Sequence, residues 1–293
     1  MSDAIFNRRE MLAATASFAV VAGFAGAAQA QTKRVPGVQL YTVRDSMAKD
    51  VEITLRAIAG IGYQEVEFAG YFGHPAAEIR AMLDRYALVS PSTHVDGESV
   101  ADDPSEIVDI AAEIGHDYVT IAYMQEENRR TVDDWKRWAE VTNRLGEACT
   151  ASGMRAAYHN HDFEFQATDG IIPFDILVDE TDAGLVDFEV DFYWVRKGGA
   201  DIPAVLAMAP ERMTMSHIKD MNAAGDMVRV GDGTIDFGGI LASPVAGSIK
   251  HCFVEHDHLV EGSVVTSTSR FCKPVEQHHE KGQCFALIDK RVS

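Results

Sequence analysis

Short runs of apolar and β-branched residues recur along the chain, separated by longer segments whose apolar residues return every three or four positions. The short runs are typical of buried strands, and the longer segments are typical of helices that pack one face on a sheet. In the first long segment, for example, Leu55, Ile58 and Ala59 share a helical face. The pattern predicts eight strands, at residues 38–43, 65–68, 87–94, 118–122, 154–159, 184–191, 213–219 and 251–255.

Helical segments connect these strands. Besides the segment around Leu55, they cover residues 76–86, 104–114, 132–152, 172–178 and 202–208. Strands that alternate with helices imply a parallel sheet, and eight of them in about 220 residues predict an α/β fold of the (β/α)8 TIM-barrel type. A doubly wound sheet is the alternative, but no glycine-rich dinucleotide-binding turn follows the first strand.

Acidic and imidazole side chains gather where the predicted strands end, which is where active sites of such barrels lie. Asp187, Glu189 and Asp191 alternate with apolar residues on the sixth strand, so one face carries all three. The other polar residues are His159, His161 and Glu164 at or after the end of the fifth strand, His217 and Lys219 on the seventh, and Glu255 on the eighth.

Carboxylates and imidazoles that converge from four neighbouring strands need a compensating positive charge. A divalent cation supplies it, and mixed carboxylate and imidazole ligands suit Mn, Mg, Zn or Co. One Asp, one His and two Glu would hold one such ion and leave room for two substrate oxygens. Any one of these residues alone is more often structural than functional, so the prediction of a metal or acid–base site depends on the four strands together.

The overall charge narrows the choice of partners. The 293 residues include 26 Lys and Arg against 45 Asp and Glu, which gives a formal net charge of −19. A surface this acidic repels phosphates and argues against binding to nucleic acid. The composition is that of an ordinary globular protein, and four cysteines in a chain of this length do not form a disulfide scaffold.

The first thirty residues have the pattern of an export signal. Arg8 and Arg9 precede an uncharged stretch at residues 11–30, which ends in the small-x-small sequence Ala28-Gln29-Ala30 read by signal peptidases. The arginine pair resembles a twin-arginine signal. A membrane anchor is the alternative, but the stretch is rich in Gly and Ala and weakly apolar for a spanning helix. We therefore predict a cleaved signal peptide at residues 1–30 and a periplasmic or secreted protein without a stable membrane span.

Six short sequence pieces occur in order at the predicted strand ends or in the loops after them. They are GVQLYTVRD at residues 37–45, YHNHDFEF at 158–165, DFYW at 191–194, HIKD at 217–220, GDGTIDF at 231–237 and FVEHD at 253–257. Together they resemble the sugar phosphate isomerase/epimerase family, whose members share the xylose isomerase-like TIM barrel. The resemblance covers residues 35–257.

The resemblance implies one divalent metal ion, held by residues of the fifth to eighth strands. On the last three of these strands the matching residues are Asp191, His217 and Glu255. For the fifth strand, we expect Glu164 to swing back from the following loop as the ligand. His159 is its rival, because many relatives carry Glu at that place.

Further residues are candidates for catalysis. Lys219 lies two residues after His217 on the same strand face and would neutralise an oxyanion. His161 would carry a proton near neutral pH, and Glu67 at the end of the second strand is a weaker candidate. The catalytic candidates are therefore His159, His161, Glu164, Lys219 and Glu255.

The reaction that follows from the resemblance is proton transfer next to a carbonyl group. The metal polarises the carbonyl and a neighbouring hydroxyl, a carboxylate or histidine removes the acidified C–H proton, and the metal stabilises the resulting enediolate. Return of the proton elsewhere gives isomerisation or epimerisation, whereas loss of a β-substituent gives a keto-sugar dehydratase or lyase. An exported protein meets few sugar phosphates, so we expect a free sugar or a keto-sugar as the substrate.

Two functions of other classes compete with this interpretation. One is a sugar-binding barrel that has lost catalysis, although ligand candidates on four strands argue against it. The other, the least favoured, is a metal-dependent endonuclease acting on abasic DNA. It would need additional metal ligands and a basic groove, which the acidic charge of the chain disfavours.

The glycine-rich piece Gly231-Asp232-Gly233 has two interpretations. Loops of this kind cradle phosphates in some proteins, but this one lacks the Lys and the Ser or Thr of a P-loop. We therefore expect a mobile loop over the mouth of the barrel.

After Asp257 the alternating pattern ends. A barrel closes with a helix over its eighth and first strands, but residues 258–293 have no helical period and are rich in Ser, Thr and β-branched residues. We therefore predict a barrel at residues 31–257 with an incomplete or atypical closing helix, followed by an atypical tail at 258–293. A reading-frame shift and a genuinely divergent tail both explain this pattern.

Overall fold

Eight strands form a closed barrel in the computed structural model, which describes residues 34–258. They are β1 (Pro36–Gln39), β2 (Glu65–Phe68), β3 (Val89–Asp96), β4 (Tyr118–Tyr123), β5 (Arg155–His159), β6 (Val186–Asp191), β7 (Met213–Ile218) and β10 (His251–Val254). Between β7 and β10, the strands β8 (Asp220–Met221) and β9 (Met227–Val228) form a short antiparallel ribbon. All eight barrel strands are parallel, and β1 pairs with both β2 and β10, which closes the ring. The predicted (β/α)8 barrel is thus confirmed.

Helices connect successive barrel strands. They are α1 (Arg44–Met47), α2 (Val51–Ile61), α3 (Ala76–Tyr86), α4 (Gly97–Ala101), α5 (Ser105–Ile114), α6 (Val132–Thr150), α7 (Pro173–Glu180), α8 (Phe192–Lys197), α9 (Ile202–Met208) and α10 (Phe237–Ala242). Most of the predicted helices agree with these bounds to within two residues. The short helices α1, α4, α8 and α10 were not predicted, because four to six residues are too few to show a period.

The longest helix, α6, shows why these segments are helical. Thr131 caps its first turn by accepting a hydrogen bond from the Asp134 amide, and the Asp134 carboxylate accepts one from the Thr131 amide. Trp135, Trp138 and Leu145 lie on its buried face, as the spacing of apolar residues predicts. The helix therefore packs on the barrel through a continuous apolar stripe.

Alternate residues of the barrel strands face two different apolar cores. Val186 and Phe188 belong to the main core, which also contains the buried faces of the helices. Tyr118, Ala157, Met215 and Phe253, from four different strands, form a separate cluster inside the barrel. A Cβ atom on Gly37 would lie 2.6 Å from Cδ1 of Phe253, so only glycine at this place in β1 leaves room for that ring.

The first strand is shorter than predicted. The sequence predicts a strand over residues 38–43, but β1 ends at Gln39 and Leu40–Val43 forms a 3-10 helix. The side chain of Gln39 accepts a hydrogen bond from the Tyr41 amide at 2.9 Å, which starts the turn. The apolar run here therefore continues as a turn of helix and does not extend the sheet.

Two predicted regions lie outside the described residues. They are the signal peptide at residues 1–30 and the tail beyond His258, including the expected absence of a regular closing helix. Within residues 34–258, a search for a helix long and apolar enough to cross a bilayer finds none.

Candidate metal centre

Strand β6 brings two acidic side chains into the barrel. Glu189 and Asp191 are fully buried, and Phe188 next to them points into the main core. Asp187, the third acid of the predicted face, instead forms an ion pair with Arg155, with 2.7 Å between Arg155 Nη2 and Asp187 Oδ1. Only Glu189 and Asp191 therefore reach the histidines of the neighbouring strands.

Asp191, His217, Lys219 and Glu255 form what we call the upper cluster. His217 Nδ1 lies 2.7 Å from Glu255 Oε2 and 3.8 Å from Asp191 Oδ2. Lys219 Nζ lies 2.9 Å from Glu255 Oε2 and 3.2 Å from Asp191 Oδ2. The structure thus brings together Asp191, His217 and Glu255, the three ligand candidates of the sixth, seventh and eighth barrel strands.

Local hydrogen bonds orient the Asp191 carboxylate. Its Oδ1 caps helix α8 by accepting a hydrogen bond from the Trp194 amide at 2.9 Å. The Asp191 amide donates to Asn160 Oδ1 at 3.0 Å, which ties the end of β6 to the end of β5. Because Oδ1 is engaged in the cap, Oδ2 is the oxygen directed towards His217.

Glu67, His94, His159 and Glu189 form the lower cluster, one layer closer to the N-terminal end of the barrel. His94 Nε2 lies 2.6 Å from Glu189 Oε2, and His159 Nδ1 lies 3.4 Å from the same oxygen. His217 Nε2 lies 2.7 Å from Glu67 Oε2 and 3.1 Å from Glu189 Oε2. The ring of His217 therefore separates the two clusters and presents one nitrogen to each.

The buried carboxylates favour positive charge on their neighbours. Burial alone opposes a charged imidazole, but the carboxylates of Glu189 and Glu255 raise the pKa of His217 well above its ordinary value. Against the effect of burial, Lys219 and His217 hold the pKa of Glu255 well below its usual value. Burial raises the pKa of Asp191 to about 6. The upper cluster is thus a buried site in which the Asp191 and Glu255 carboxylates face the positive charges of Lys219 and His217.

Three atoms of the upper cluster fit a divalent metal ion. Asp191 Oδ2, His217 Nδ1 and Glu255 Oε2 are buried, and they contact one another and the Lys219 ammonium group. They lie within 4.8 Å of one another. Two carboxylates and one imidazole form a donor set that suits Mn, Zn or Co. These residues could therefore hold the predicted ion.

Neither candidate ligand of the fifth strand belongs to the group of converging atoms of Asp191, His217 and Glu255. Glu164 is buried, and its carboxylate accepts hydrogen bonds from the Tyr158 hydroxyl at 2.7 Å and from the His161 amide at 2.8 Å. Burial raises the pKa of Glu164 to about 8. The structure does not bring Glu164 back to the metal centre, because both oxygens anchor its own loop. His159 lies in the lower cluster.

His161 is held by aromatic rings next to the metal centre. Its ring stacks on Phe163 with centroids 5.3 Å apart, and Tyr123 and Trp194 contact its edges. Burial, and then the proximity of His159, lower the pKa of His161 well below its ordinary value, so the ring is neutral. Its Nδ1 makes no hydrogen bond within the described part of the chain.

A cavity of about 860 Å³ opens onto both clusters. Lys219 and Glu255 of the upper cluster and His94 and His159 of the lower cluster line its floor, together with His161. Its walls include Tyr41, Arg44, Tyr71 and Tyr123. This volume is in the range of small-molecule sites and combines aromatic surfaces with charged groups.

The carboxylate of Asp220 occupies the glycine-rich loop after β7. Its Oδ2 accepts hydrogen bonds from the amides of Gly231 and Gly233 at 2.8 and 3.0 Å, and Oδ1 accepts one from Met221 at 2.8 Å. A Cβ on Gly233 would collide with this carboxylate. The expected mobile loop is instead tied down, and amides that a phosphate would need are already in use.

Sequence reasoning missed His94 as a site residue and treated Glu189 only as part of an acidic strand. His94 lies near the end of the predicted third strand, and Glu189 precedes Asp191 by two residues on the same face. Applying the strand-end rule to every barrel strand would have found both. The resemblance implies ligands on the fifth to eighth strands, and among the earlier strands only Glu67 was considered.

The fold and this site define the class of the protein, an α/β barrel with a cluster of candidate metal ligands at the C-terminal ends of its strands. The chain belongs to the xylose isomerase-like TIM barrel family, whose sequence profile matches residues 55–243. No curated protein matches the chain in a sequence search.

Solved structures share this fold. A sugar phosphate isomerase/epimerase from Parabacteroides distasonis is 23% identical, with a TM-score of 0.70 over 82% of this chain and 92% of its own. A second sugar phosphate isomerase/epimerase from that organism is 26% identical, with a TM-score of 0.67 over 81% and 95%. The IolI protein with a bound zinc atom is 14% identical, with a TM-score of 0.64 over 80% and 95%.

Proposed function

We propose that the protein is a metal-dependent isomerase or epimerase that moves a proton next to the carbonyl group of a sugar or keto-sugar. The observation that carries this proposal is the convergence of three buried ligand atoms of Asp191, His217 and Glu255, which lie within 4.8 Å of one another. Glu255 and the neighbouring Lys219 line a cavity large enough for a sugar. The 26% identical neighbour named sugar phosphate isomerase/epimerase supports the same class of reaction.

A divalent ion held by these three residues would supply a Lewis acid that polarises the substrate carbonyl and makes the adjacent C–H bond acidic. Lys219 provides a second positive charge at the same place. It is 2% exposed, and its Nζ is fixed by carboxylates on three sides, including Asp257 Oδ1 at 2.8 Å. A fixed ammonium group in a buried site stabilises an oxygen that becomes negative during the reaction.

His161 is the residue that we assign to proton transfer. Its ring is neutral and lines the cavity, and its Nδ1 makes no hydrogen bond to a described residue. The contacts with Phe163, Tyr123 and Trp194 keep the ring in one orientation. A neutral imidazole held in one orientation can take a proton from carbon and return it. An imidazole that rotates freely transfers the proton more slowly.

We propose a substrate without a phosphate group. The support comes from Asp220, whose carboxylate accepts the hydrogen bonds of Gly231 and Gly233 in the loop after β7. Of the two cationic side chains at the cavity, Lys219 is held by carboxylates, and Arg44 donates to the backbone oxygens of Tyr41 and Asp257. Tyr41, Tyr71 and Tyr123 offer the aromatic surfaces on which sugar rings pack.

We also propose export through the twin-arginine pathway, which rests on Arg8, Arg9 and the Ala28-Gln29-Ala30 site. Replacing both arginines with lysine should keep the protein in the cytoplasm of a bacterial host, whereas the unaltered chain should reach the periplasm in a shortened form. Cell fractionation and mass measurement of the N-terminus read out both results. Cytoplasmic retention of the unaltered chain would contradict this part of the proposal.

The activity is tested by incubating the metal-loaded protein with a panel of sugars and keto-sugars and analysing the products. Asp191→Asn should lower turnover by about a hundredfold or more, because it removes a ligand charge and leaves the shape of the residue unchanged. His251→Gln is the matched control, since His251 pairs with Glu65 outside both clusters. Elimination products instead of isomers would identify a lyase, and saturable sugar binding without any turnover would contradict catalysis.

A further inference from the structure

The lower cluster contains ligand atoms that the upper cluster does not use. His94, His159 and Glu189 come from β3, β5 and β6, and their ligand atoms lie within 4.8 Å of one another. His94 and His159 have ring centroids 5.0 Å apart. Nε2 of His94 and Nδ1 of His159 both face Glu189 Oε2, at 2.6 and 3.4 Å. Ligand atoms of a tetrahedral ion with bonds of about 2.1 Å lie about 3.4 Å apart, a spacing close to the 3.4 Å between His159 Nδ1 and Glu189 Oε2.

Two buried polar atoms of this group, one on His159 and one on Glu189, are poorly satisfied by hydrogen bonds from the described residues. His159 is 3% exposed, and its Nδ1 lies 3.4 Å from Glu189 Oε2, which is long for a hydrogen bond. Glu189 is fully buried, and its Oε1 has no hydrogen-bond partner within residues 34–258. Buried polar atoms without partners are rare in proteins because they lose water and gain nothing in return. Both atoms belong to residues that converge on one point.

His217 does not have to serve both clusters. Its Nε2 lies 2.7 Å from Glu67 Oε2, so a hydrogen on Nε2 can be donated to that carboxylate. Gln39 Nε2 donates to the same oxygen at 2.8 Å and holds the carboxylate in place. Nδ1 of His217 is then the ligand for the upper cluster. Its Nε2 also lies 3.1 Å from Glu189 Oε2, but His94, His159 and Glu189 offer three ligand atoms without it.

We propose that His94 Nε2, His159 Nδ1 and the Glu189 carboxylate form a second divalent-metal site below the upper cluster. Two imidazoles and one carboxylate favour Zn²⁺, Co²⁺ or Fe²⁺ over Mg²⁺, which prefers an all-oxygen shell. His94 and His159 also line the cavity, so an ion held by them would lie next to the substrate space. The site stands on its own ligands and does not depend on the proposed reaction.

Metal stoichiometry tests this proposal. Full-length protein is stripped of metal and titrated with Co²⁺, followed by visible absorption and by elemental analysis after removal of free ion. The unaltered protein should bind two ions per chain. His94→Gln and Glu189→Gln should each bind one, and Asp191→Asn should also bind one, because it affects only the upper cluster. Mg²⁺ in excess should compete for the upper site and leave the lower one filled.

Two controls separate loss of a ligand from loss of folding. His251→Gln removes another barrel histidine that pairs with a glutamate, and it should still bind two ions. Far-UV circular dichroism and thermal unfolding identify any variant that does not fold. If such a variant appears, the Co²⁺ absorption of the unaltered protein, with and without excess Mg²⁺, still counts the two sites.

The outcomes are distinct. A single ion that persists in His94→Gln and Glu189→Gln, or one that disappears in all three site variants, would overturn the second site, and so would no binding at all. A single ion that survives in Asp191→Asn but not in His94→Gln would support the lower site and contradict the upper one. In that case the proposed function would lose its metal centre while this inference stood.

Discussion

His217 connects two groups of buried acids through one imidazole ring. Glu67 Oε2 lies 2.7 Å from its Nε2, and Glu255 Oε2 lies 2.7 Å from its Nδ1. A carboxylate that accepts the hydrogen of one ring nitrogen fixes the tautomer and makes the other nitrogen a better metal ligand. Glu67 therefore positions His217 and does not itself need to touch the substrate.

The effect of Glu67 can be measured as metal affinity. Glu67→Gln should weaken binding of a divalent ion at the upper cluster by about 10-fold to 100-fold, because the neutral amide is a weaker acceptor. Titration with Mn²⁺ gives the dissociation constant. Glu65→Gln, two residues earlier on the same strand and paired with His251, is the matched control and should leave the affinity unchanged. Equal affinity in the unaltered protein and in Glu67→Gln would show that His217 is oriented by other contacts.

His116 makes stability depend on pH away from the metal centre. Its Nδ1 lies 2.7 Å from the Ser90 carbonyl oxygen, and its Nε2 lies 3.1 Å from the Tyr71 hydroxyl. A neutral ring satisfies both partners, with one nitrogen donating and the other accepting. Burial lowers the pKa of His116 to about 4.

This pKa implies loss of stability in mild acid. Between pH 6.5 and pH 4 the unfolded chain takes up a proton at His116 that the folded chain does not, so the free energy of unfolding falls as the pH falls. The loss amounts to about 3 kcal/mol over this range. His116→Gln should lack this component, so its unfolding free energy from urea titration should fall less between pH 7 and pH 4.5. Identical pH dependence in the two proteins would be evidence against the prediction.

At single positions, the sequence predicted some site residues better than others. Asp191, His217 and Glu255 occupy inward positions at strand ends, so the alternation of a strand and the barrel topology suffice to bring them together. Glu164 lies in a three-residue 3-10 helix after β5, which is too short to show a period. Its orientation depends on the Tyr158 hydroxyl and the His161 amide, which only the folded structure brings near it.

At the level of elements, the loop after β7 is organised around a single carboxylate. Asp220 accepts hydrogen bonds from the amides of Met221, Gly231, Gly233 and Ile235. Gly231 has a φ of 86°, which favours glycine, and Gly233 has no room for a side chain. The two glycines thus allow the backbone to wrap around a buried acid.

Removing this carboxylate should loosen the loop. Asp220→Ala should raise the rate of amide hydrogen exchange at residues 231–235 and destabilise the protein by about 2–3 kcal/mol, because several charge-assisted hydrogen bonds are lost. Asp226→Ala is the comparison, since Asp226 is a nearby exposed acid that makes its side-chain contact with Asn222. Unchanged exchange at residues 231–235 would mean that the loop is held by its backbone alone.

Element boundaries were less predictable than element types. The run at residues 38–43 is apolar enough for a strand, yet it turns at Gln39 because that side chain accepts the Tyr41 amide. The ribbon of β8 and β9 has two residues in each strand and therefore no detectable period. Side-chain hydrogen bonds of this kind leave no trace in the pattern of apolar residues.

At the level of the whole molecule, the order of strands and helices was enough to predict a closed barrel. Each strand pairs with its neighbour in sequence, and the pairing of Val38 with Val254 closes the ring. The barrel architecture also explains part of the high content of acidic residues. Several acids converge inside the barrel at the clusters, including Glu67, Glu189, Asp191 and Glu255, where they create a place for cations.

The central claim is that this barrel moves a proton on the carbon next to a carbonyl group. Proton NMR in D2O measures this movement directly, because a mobile C–H signal disappears as deuterium enters, whatever the final product. The metal-loaded protein should exchange this position in at least one keto-sugar, the metal-stripped protein should not, and His161→Asn should slow exchange by about 10²-fold to 10⁴-fold. Exchange that is equally fast in His161→Asn, or no exchange in any keto-sugar with metal bound, would contradict the account.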